Sequence, residues 1–291
     1  MKKITLQRNL TGYSFILPSM ILLLVFVVIP LVGVFYYGFT DFNGLKAPNW
    51  VGIKNYINIF KDVRFVTALK NTLRYMIVSV PIKTVLSLAV AALLAANLRN
   101  KFGEFVRGSV YIPVLCSAAL VGSIFKYFFA SDAGSMANVI LSWFGIDKVN
   151  WLGMPNIAPY VLIAISVWKG FGYFTILLYA GIMDVPINLY EAADIDGANK
   201  WQQFWHITLP NIKPILAMLI TIGIIWSIQF FDLAYVMTSG GPADSNMSIV
   251  YMIYTKAFKD FKFGYASALS VILFFVMLII NIIKSMLTKE D

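Results

Sequence analysis

Residues 184–214 read DVPINLYEAADIDGANKWQQFWHITLPNIKP, and this stretch lies between two long apolar segments. Pro186 fits the first turn of a helix, where its missing N–H group costs nothing. The residues from Ile187 to Ile195 therefore predict a short helix. Gly197 fits the left-handed conformation that ends many helices, because glycine adopts a positive φ without strain. The first half of the stretch thus predicts a helix followed by a tight turn.

The second half of the stretch predicts another short helix, from Ala198 to Ile207. Leu209-Pro210 is expected to end this helix, because proline clashes with the preceding turn and cannot donate a backbone hydrogen bond. The whole stretch therefore predicts a helix–turn–helix between two apolar segments. Its second helix carries three aromatic residues, which are Trp201, Phe204 and Trp205.

The chain around this stretch has the composition of a membrane protein. It has 291 residues, of which 59% are hydrophobic and 13% are charged, whereas a soluble domain usually carries about 25% charged residues. Its mean hydropathy is +0.77. A spanning helix needs about 20 predominantly apolar residues. Six segments meet that requirement: residues 13–39, 73–96, 106–129, 158–183, 215–238 and 266–287.

These segments predict an all-α polytopic membrane protein with six transmembrane helices. The run 13–39 is too long for the apolar region of a signal peptide, so it predicts a retained first helix. Residues 13–287 are expected to form a single transmembrane domain. Short tails of residues 1–12 and 288–291 flank this domain.

Several classes of site are excluded by composition. The chain has one cysteine, Cys116, and one histidine, His206, so it has neither an internal disulfide nor a zinc site built from paired cysteines or histidines. No catalytic set and no metal site is expected. The net charge of +9 comes from basic residues scattered between apolar runs, and this arrangement is not typical of nucleic-acid binding.

The first half of the helix–turn–helix is acidic and small, with Glu191, Asp194 and Asp196 beside Ala192 and Ala193. Small side chains allow another surface to approach closely, and a carboxylate orients an arginine. The alternative is an amphipathic helix pair that lies on the lipid surface. Anionic headgroups repel an acidic segment, so spacing alone leaves both interpretations open.

The order of residues in this stretch resembles the EAA loop of ABC-importer permeases. Other stretches are similar to the carbohydrate branch of that family, the maltose- and glycerol-phosphate-type permeases. Gly240-Gly241-Pro242 looks like the first of the two non-identical permeases in such systems. The matching positions of the EAA loop are Glu191-Ala192-Ala193, Asp196-Gly197-Ala198, Phe204, Ile207-Thr208-Leu209-Pro210 and Pro214.

The resemblance implies a type I ABC-importer permease fold in which residues 184–214 form the coupling loop. Glu191 would then face a basic residue of a cytoplasmic ATPase, Ala192 and Ala193 would fill its groove, and Gly197 would make the turn. The ATPase contact would also include Asp196, Leu209 and Pro210.

The resemblance also implies partners: a second homologous permease, two ATPase subunits and an extracytoplasmic sugar-binding protein. The chain itself has no GxxxxGK[ST] phosphate loop and is expected to bind no cofactor. ATP and magnesium would be used by the partner ATPase.

Charge counting barely decides the orientation, because basic residues are almost equally divided between the two sides. A coupling loop must face the cytoplasm. Both termini would therefore be cytoplasmic, in the inner membrane of a prokaryote.

Two helix faces are candidates for a sugar pathway. A sugar has apolar ring faces and a rim of hydroxyl groups, so aromatic side chains with a few polar groups suit it. The competing interpretation is helix–helix packing, which also uses small residues in membranes. The candidates are Ser166, Lys169, Gly170 and Tyr173 in the fourth segment, and Gly223, Trp226, Ser227 and Phe230 in the fifth.

Other functions fit the sequence less well. A non-sugar solute such as glycerol phosphate is the alternative within the importer class. A stand-alone channel or secondary transporter is expected to show inverted repeats with broken helices or a ring of like charges, and neither pattern is evident.

Overall fold

The computed structural model describes residues 13, 15–97 and 101–287. Within these residues the regular secondary structure is helical, apart from one isolated bridge between Thr40 and Trp50. The predicted tails, residues 1–12 and 288–291, lie outside the described residues.

The described residues form twelve helices. They are α1 (Phe15–Tyr37), α2 (Lys54–Lys61), α3 (Val63–Asn97), α4 (Lys101–Leu115), α5 (Ala118–Phe128), α6 (Met136–Trp143), α7 (Ala158–Met183), α8 (Ile187–Ile195), α9 (Lys200–Asn211), α10 (Lys213–Ile228), α11 (Ile249–Tyr254) and α12 (Phe263–Leu287). Wider π-helical turns occur at Leu24–Val28 in α1, Phe204–Thr208 in α9, Ala234–Thr238 and Thr255–Lys259.

The helices confirm the predicted all-α membrane class. Among the described residues, four helices, α1, α3, α7 and α12, are long and apolar enough to cross a membrane, and the count rises to six if each of two bent helix pairs is one span. The helix α7 has the bounds predicted for the fourth segment, Ala158–Met183.

The second segment begins earlier than residue 73. The helix α3 starts at Val63 and runs for 35 residues, so the residues just before the predicted start at position 73 are also helical. Hydrogen bonds explain this extension. Arg64 binds the Asp244 carboxylate, and the Asn71 side chain donates to the backbone carbonyls of Asp244 and Met247. These bonds stabilise polar residues in a helix that their composition alone does not favour.

The third predicted segment, 106–129, is two helices rather than one. The helices α4 and α5 meet at an angle of 94°. Ser117 is extended between them, and its Oγ atom accepts a hydrogen bond from the Leu120 N–H at 3.2 Å. An N-cap of this kind starts a new helix, so the chain changes direction here.

The fifth predicted segment, 215–238, ends early. Its helix, α10, stops at Ile228 instead of continuing to Thr238. The Phe230 carbonyl beyond this end accepts a hydrogen bond from the Ser248 hydroxyl. This side-chain bond satisfies a carbonyl that a longer helix would have used.

The described residues divide into two compact units. One comprises residues up to Asp62 together with Ile253–Val276. In this unit the Asn55 amide donates to the carbonyls of Gly38 and Thr40 at 3.0 and 2.8 Å. The other unit comprises Val63–Met252 and the residues from Met277 onwards, and it contains both candidate sites.

The second unit is built on close contacts between α3, α4, α7 and α10. A buried cluster includes Phe174 and Leu178 of α7 and Leu219 of α10. At Gly172 the backbone of α7 approaches the Val110 carbonyl of α4 so closely that an added Cβ atom would overlap it. Small residues permit such approaches between membrane helices.

Candidate functional site

The helix–turn–helix begins as the sequence predicts. The helix α8 spans Ile187–Ile195, and Pro186 is the residue just before it. Gly197 has a φ of +77°. The Ala198 N–H donates to the Ala193 carbonyl at 2.9 Å, and the Gly197 N–H donates to the Asp194 carbonyl at 3.2 Å. This pair of bonds is the Schellman motif, so the predicted turn at Gly197 is confirmed.

The second helix starts at Lys200 rather than at Ala198. Asn199 caps it. The Gln202 N–H donates to the Asn199 side chain at 2.9 Å, and the Asn199 N–H donates to the Gln202 side chain at 2.8 Å. This reciprocal pair is a capping box, and it fixes the start of α9.

The second helix does not end at Leu209-Pro210. It continues to Asn211, and the sharp bend of 68° falls between α9 and α10. In a regular helix the ring of Pro210 would clash with the carbonyl four residues earlier. The π-helical turn Phe204–Thr208 directly precedes this position. A wider turn relieves the clash, which explains why the proline remains inside the helix.

Buried polar side chains hold the two helices of the loop together. Gln203 is buried; its amide donates to the Asp194 carboxylate and to the Ala198 carbonyl, and its carbonyl accepts a bond from Lys200 at 3.0 Å. The hydroxyls of Tyr190 and Thr208 lie 2.9 Å apart. This role of these residues was not predicted from the sequence. The signal available for Gln203 is a glutamine in a helix that follows an acidic helix, since an amide can donate to a carboxylate.

The loop exposes both carboxylates and apolar side chains. Glu191, Ala192 and Asp196 are exposed, whereas Ala193 and Leu209 are half-buried. The side chain of Ile195 is 87% exposed and that of Trp201 is 69% exposed. Exposed apolar residues rimmed by charge are typical of protein-binding surfaces. Pro210, at the far end of α9, is also exposed.

Asp194 gives this loop a pH dependence. The hydrogen bond from Gln203, and then that from Lys200, holds the pKa of the Asp194 carboxyl below its ordinary value of 3.8. A carboxyl with a lowered pKa stabilises the fold above its ordinary pKa, and the contribution is lost as pH falls through the lowered pKa. We therefore expect the amide protection factors of Gly197 and Ala198 to be constant from about pH 7 to 5 and to fall only in stronger acid.

Asp194→Asn should lower these protection factors at pH 7, and hydrogen exchange measures them. Asp196→Asn is the matched control, because Asp196 is an exposed carboxylate two residues away that lacks the bond to Gln203. Equal protection in Asp194→Asn and the unmodified chain would contradict the stabilising role of Asp194.

A cavity of about 100 Å³ lies among α3, α7 and α10. It combines aromatic, hydroxyl and cationic side chains in the middle of apolar helices. The predicted candidates Ser166, Lys169, Gly170, Trp226 and Ser227 all line it. The remaining lining residues are Tyr75 and Lys83.

The other candidates lie beside this cavity rather than on it. The ring of Tyr173 is 5.4 Å from that of Trp226. Gly223 is a packing position, because an added Cβ atom would lie 3.3 Å from Phe174 and Val80. Phe230 stacks on Tyr75 with ring centroids 3.8 Å apart, and it lines a second cavity of about 10 Å³.

The hydroxyl of Ser227 is already engaged. It donates to the Gly223 carbonyl at 2.7 Å and lies 3.1 Å from the Ser79 hydroxyl. This bond joins α10 to α3 within the bilayer, where hydrogen bonds between helices contribute about 1 kcal/mol. Ser227 therefore stabilises the wall of the cavity.

Lys83 is the cavity residue whose position the sequence did not explain. Its side chain is only 2% exposed. The Nζ atom lies 5.6 Å from the ring centroids of both Phe174 and Trp226. The sequence does contain a signal for it. Lys83 lies inside an apolar segment, and buried ionisable residues in membrane helices usually mark functional sites.

A family model matches residues 87–289 of the chain, and its description is binding-protein-dependent transport system inner membrane component. This region includes all of residues 184–214 and five of the seven residues that line the cavity.

The chain is similar to curated relatives and to solved structures over nearly its full length. The trehalose/maltose transport system permease protein MalF of Thermococcus litoralis is 32% identical, covering 97% of this chain and 94% of the relative. The arabinooligosaccharides transport system permease protein AraP of Bacillus subtilis is 31% identical, covering 96% and 88%.

A chain of the bacterial alginate ABC transporter, solved in complex with alginate pentasaccharide-bound periplasmic protein, has a TM-score of 0.88 at 25% identity. The alignment covers 98% of this chain and 96% of that one. Together these matches confirm the expected type I importer fold. The chain therefore belongs to the family of inner membrane components of binding-protein-dependent ABC transport systems.

Proposed function

We propose that this chain is a permease subunit that moves an oligosaccharide into the cell, driven by ATP hydrolysis on separate subunits. The observation that carries the proposal is the cavity of α3, α7 and α10, where the Trp226 ring lies beside polar side chains. The names of the relatives support the substrate class, because they refer to trehalose/maltose and arabinooligosaccharides.

The size of the cavity indicates a shared pathway. Complete small-molecule sites measure about 300–1,000 Å³, whereas this cavity measures about 100 Å³. One subunit thus supplies one wall, and a second homologous permease supplies the opposite wall. Trp226 is half-exposed, so its ring is available to a sugar ring that passes between the subunits.

The loop 184–214 couples transport to ATP hydrolysis. It presents Glu191 and Ala192 to a groove of the ATPase, and the Schellman turn at Gly197 sets the angle between its helices. The chain itself is non-catalytic; two ATPase subunits bind ATP and magnesium. Their closure moves the loops and switches the cavity between inward and outward access, which is a transition between two packed arrangements.

The proposed assembly lies in the cytoplasmic membrane of a prokaryote. The coupling loop and both termini face the cytoplasm, and a sugar-binding protein delivers the solute from the other side. The structure of the alginate transporter with its periplasmic protein supports this partner by analogy.

Stimulation of ATP hydrolysis tests the proposal. The chain is to be copurified with its partner permease, ATPase and binding protein and placed in proteoliposomes. We expect a saccharide panel to stimulate hydrolysis and uptake. Stimulation only by glycerol phosphate would identify a non-sugar importer, and uptake without the ATPase would identify a stand-alone transporter.

Trp226→Ala should reduce sugar uptake about 2- to 10-fold per assembled complex, because an aromatic contact contributes about 0.5–1.5 kcal/mol. Initial uptake rates at several concentrations of loaded binding protein measure the effect. Trp143→Ala is the control, since Trp143 lies on α6, is largely exposed and does not line the cavity. A fall in expression with unchanged uptake per complex would assign Trp226 to packing alone.

A further inference from the structure

The charge of the cavity is unbalanced within the described residues. Lys83 of α3 and Lys169 of α7 both line it, and its lining contains no carboxylate. Carboxylates are also absent from the rest of the helices that form the cavity walls. The helices α3, α7 and α10 contain no aspartate or glutamate at any position. The three helices that form the cavity thus bring two cations and no anion to it.

Lys83 is buried at a position where its positive charge is energetically unfavourable. It is 2% exposed, and among residues 13, 15–97 and 101–287 no hydrogen bond or ion pair to its Nζ atom is found. The rings of Phe174 and Trp226 lie 5.6 Å away. Cation–π contacts of this kind are weak, and they do not offset the cost of burying an ammonium group.

The backbone makes room for this lysine. Gly170 faces the Lys83 side chain, and an added Cβ atom would lie 3.1 Å from both its Cε and Nζ atoms. A side chain at position 170 would therefore press against the end of the Lys83 side chain. The helix α7 therefore combines a glycine that admits Lys83 with a second lysine, Lys169, one position earlier on the same cavity.

We propose that the solute carried by this permease is anionic, and that Lys83 and Lys169 bind its carboxylate or phosphate group. The inference rests on the proposed importer function and narrows its substrate class. The Trp226 ring beside the two lysines suits a sugar ring, so an acidic oligosaccharide with uronate residues is the favoured form. A cavity of about 100 Å³ accommodates the charged group while the rest of the sugar extends into the shared pathway.

The test uses the complete complex in proteoliposomes with its own binding protein. Three probes separate the chemistries: neutral galactotriose, trigalacturonate as the carboxylate, and glycerol 3-phosphate as the phosphate. We expect one anionic probe to be taken up. Lys83→Gln and Lys169→Gln should each raise its apparent KM about 10- to 100-fold, because a hydrogen bond to a charged group contributes about 1.5–3 kcal/mol.

Lys126→Gln is the control, because it removes an exposed lysine at the end of α5 that does not line the cavity. All variants share one binding protein, whose own affinity for each probe is measured by calorimetry. Differences between variants therefore report the permease alone. Lys169→Gln keeps the test decisive if Lys83→Gln fails to assemble, since Lys169 is only half-buried.

The outcomes distinguish this inference from the function on which it rests. Uptake of galactotriose alone, unchanged in both lysine variants, would overturn the anionic substrate but leave the sugar importer intact. Loss of the partner permease from Lys83→Gln, with anion uptake unchanged in Lys169→Gln, would likewise overturn it and assign Lys83 to assembly. No response to any saccharide or to glycerol 3-phosphate would overturn the importer function itself.

Discussion

Gly197→Val should abolish ATP-driven uptake while the protein still inserts in the membrane. Gly197 has a φ of +77°, and this conformation costs an ordinary residue about 1–2 kcal/mol and a β-branched residue more. In the variant, the backbone at position 197 would leave the left-handed conformation, and the turn would open. The bonds from Gly197 and Ala198 to the end of α8 would then break, and the exposed surface of Glu191 and Ala192 would lose its orientation to α9.

Copurification of the ATPase and uptake per permease molecule measure this effect. Gly145→Val is a matched control, because Gly145 also has a positive φ, +70°, and an added Cβ atom there meets nothing within 4 Å, but it follows α6 and lies outside residues 184–214. Gly197→Asn should retain most activity, since asparagine tolerates the left-handed conformation. Full uptake in Gly197→Val would refute the coupling role of the turn.

Gly172→Leu should prevent stable assembly of the membrane domain. The added side chain would meet the Val110 carbonyl of α4, which is backbone and cannot rotate away. Overpacking of this kind costs about 1–3 kcal/mol, and separation of α4 from α7 would remove further contacts. The temperature of thermal aggregation in detergent, together with the yield of monodisperse protein, measures the loss.

Gly108→Leu is the control for this experiment. Gly108 lies on α4, two residues before Val110, but an added Cβ atom there meets nothing within 4 Å. We expect this variant to be recovered at the normal yield. Similar losses in both variants would show that the glycines act through helix flexibility and not through the close approach at Gly172.

Local rules predicted the turn of the helix–turn–helix at residues 184–214, because the residues that determine it are adjacent in sequence. The helix Ile187–Ile195 and the positive φ of Gly197 follow from residue type alone. Prediction of α9 was less accurate. Its start depends on the reciprocal bond between Asn199 and Gln202, and its end depends on a π-helical turn that accommodates Pro210.

Contacts between distant residues set the features that the sequence left undetermined. The early start of α3 depends on Arg64 and Asn71 binding the backbone and side chain of residues 244–247. The place of Lys83 depends on Gly170, which is far away along the chain. Helical periodicity found most of the cavity, because Ser166, Lys169 and Gly170 share one face of α7. Which residues of that face bind solute stays a prediction.

The helix α3 is long enough to connect the segment around Asp244 with the cavity that contains Lys83. Its 35 residues extend about 52 Å, well beyond the 30 Å or so of the hydrocarbon core. Arg64 and Asn71 fasten the segment around Asp244 to one end of this rod, and Lys83 lies further along it. Pro81 removes one backbone hydrogen bond beside Lys83. Because α3 is one continuous helix from Arg64 past Lys83, a displacement of the Asp244 segment would be passed along it to the position of the buried ammonium group.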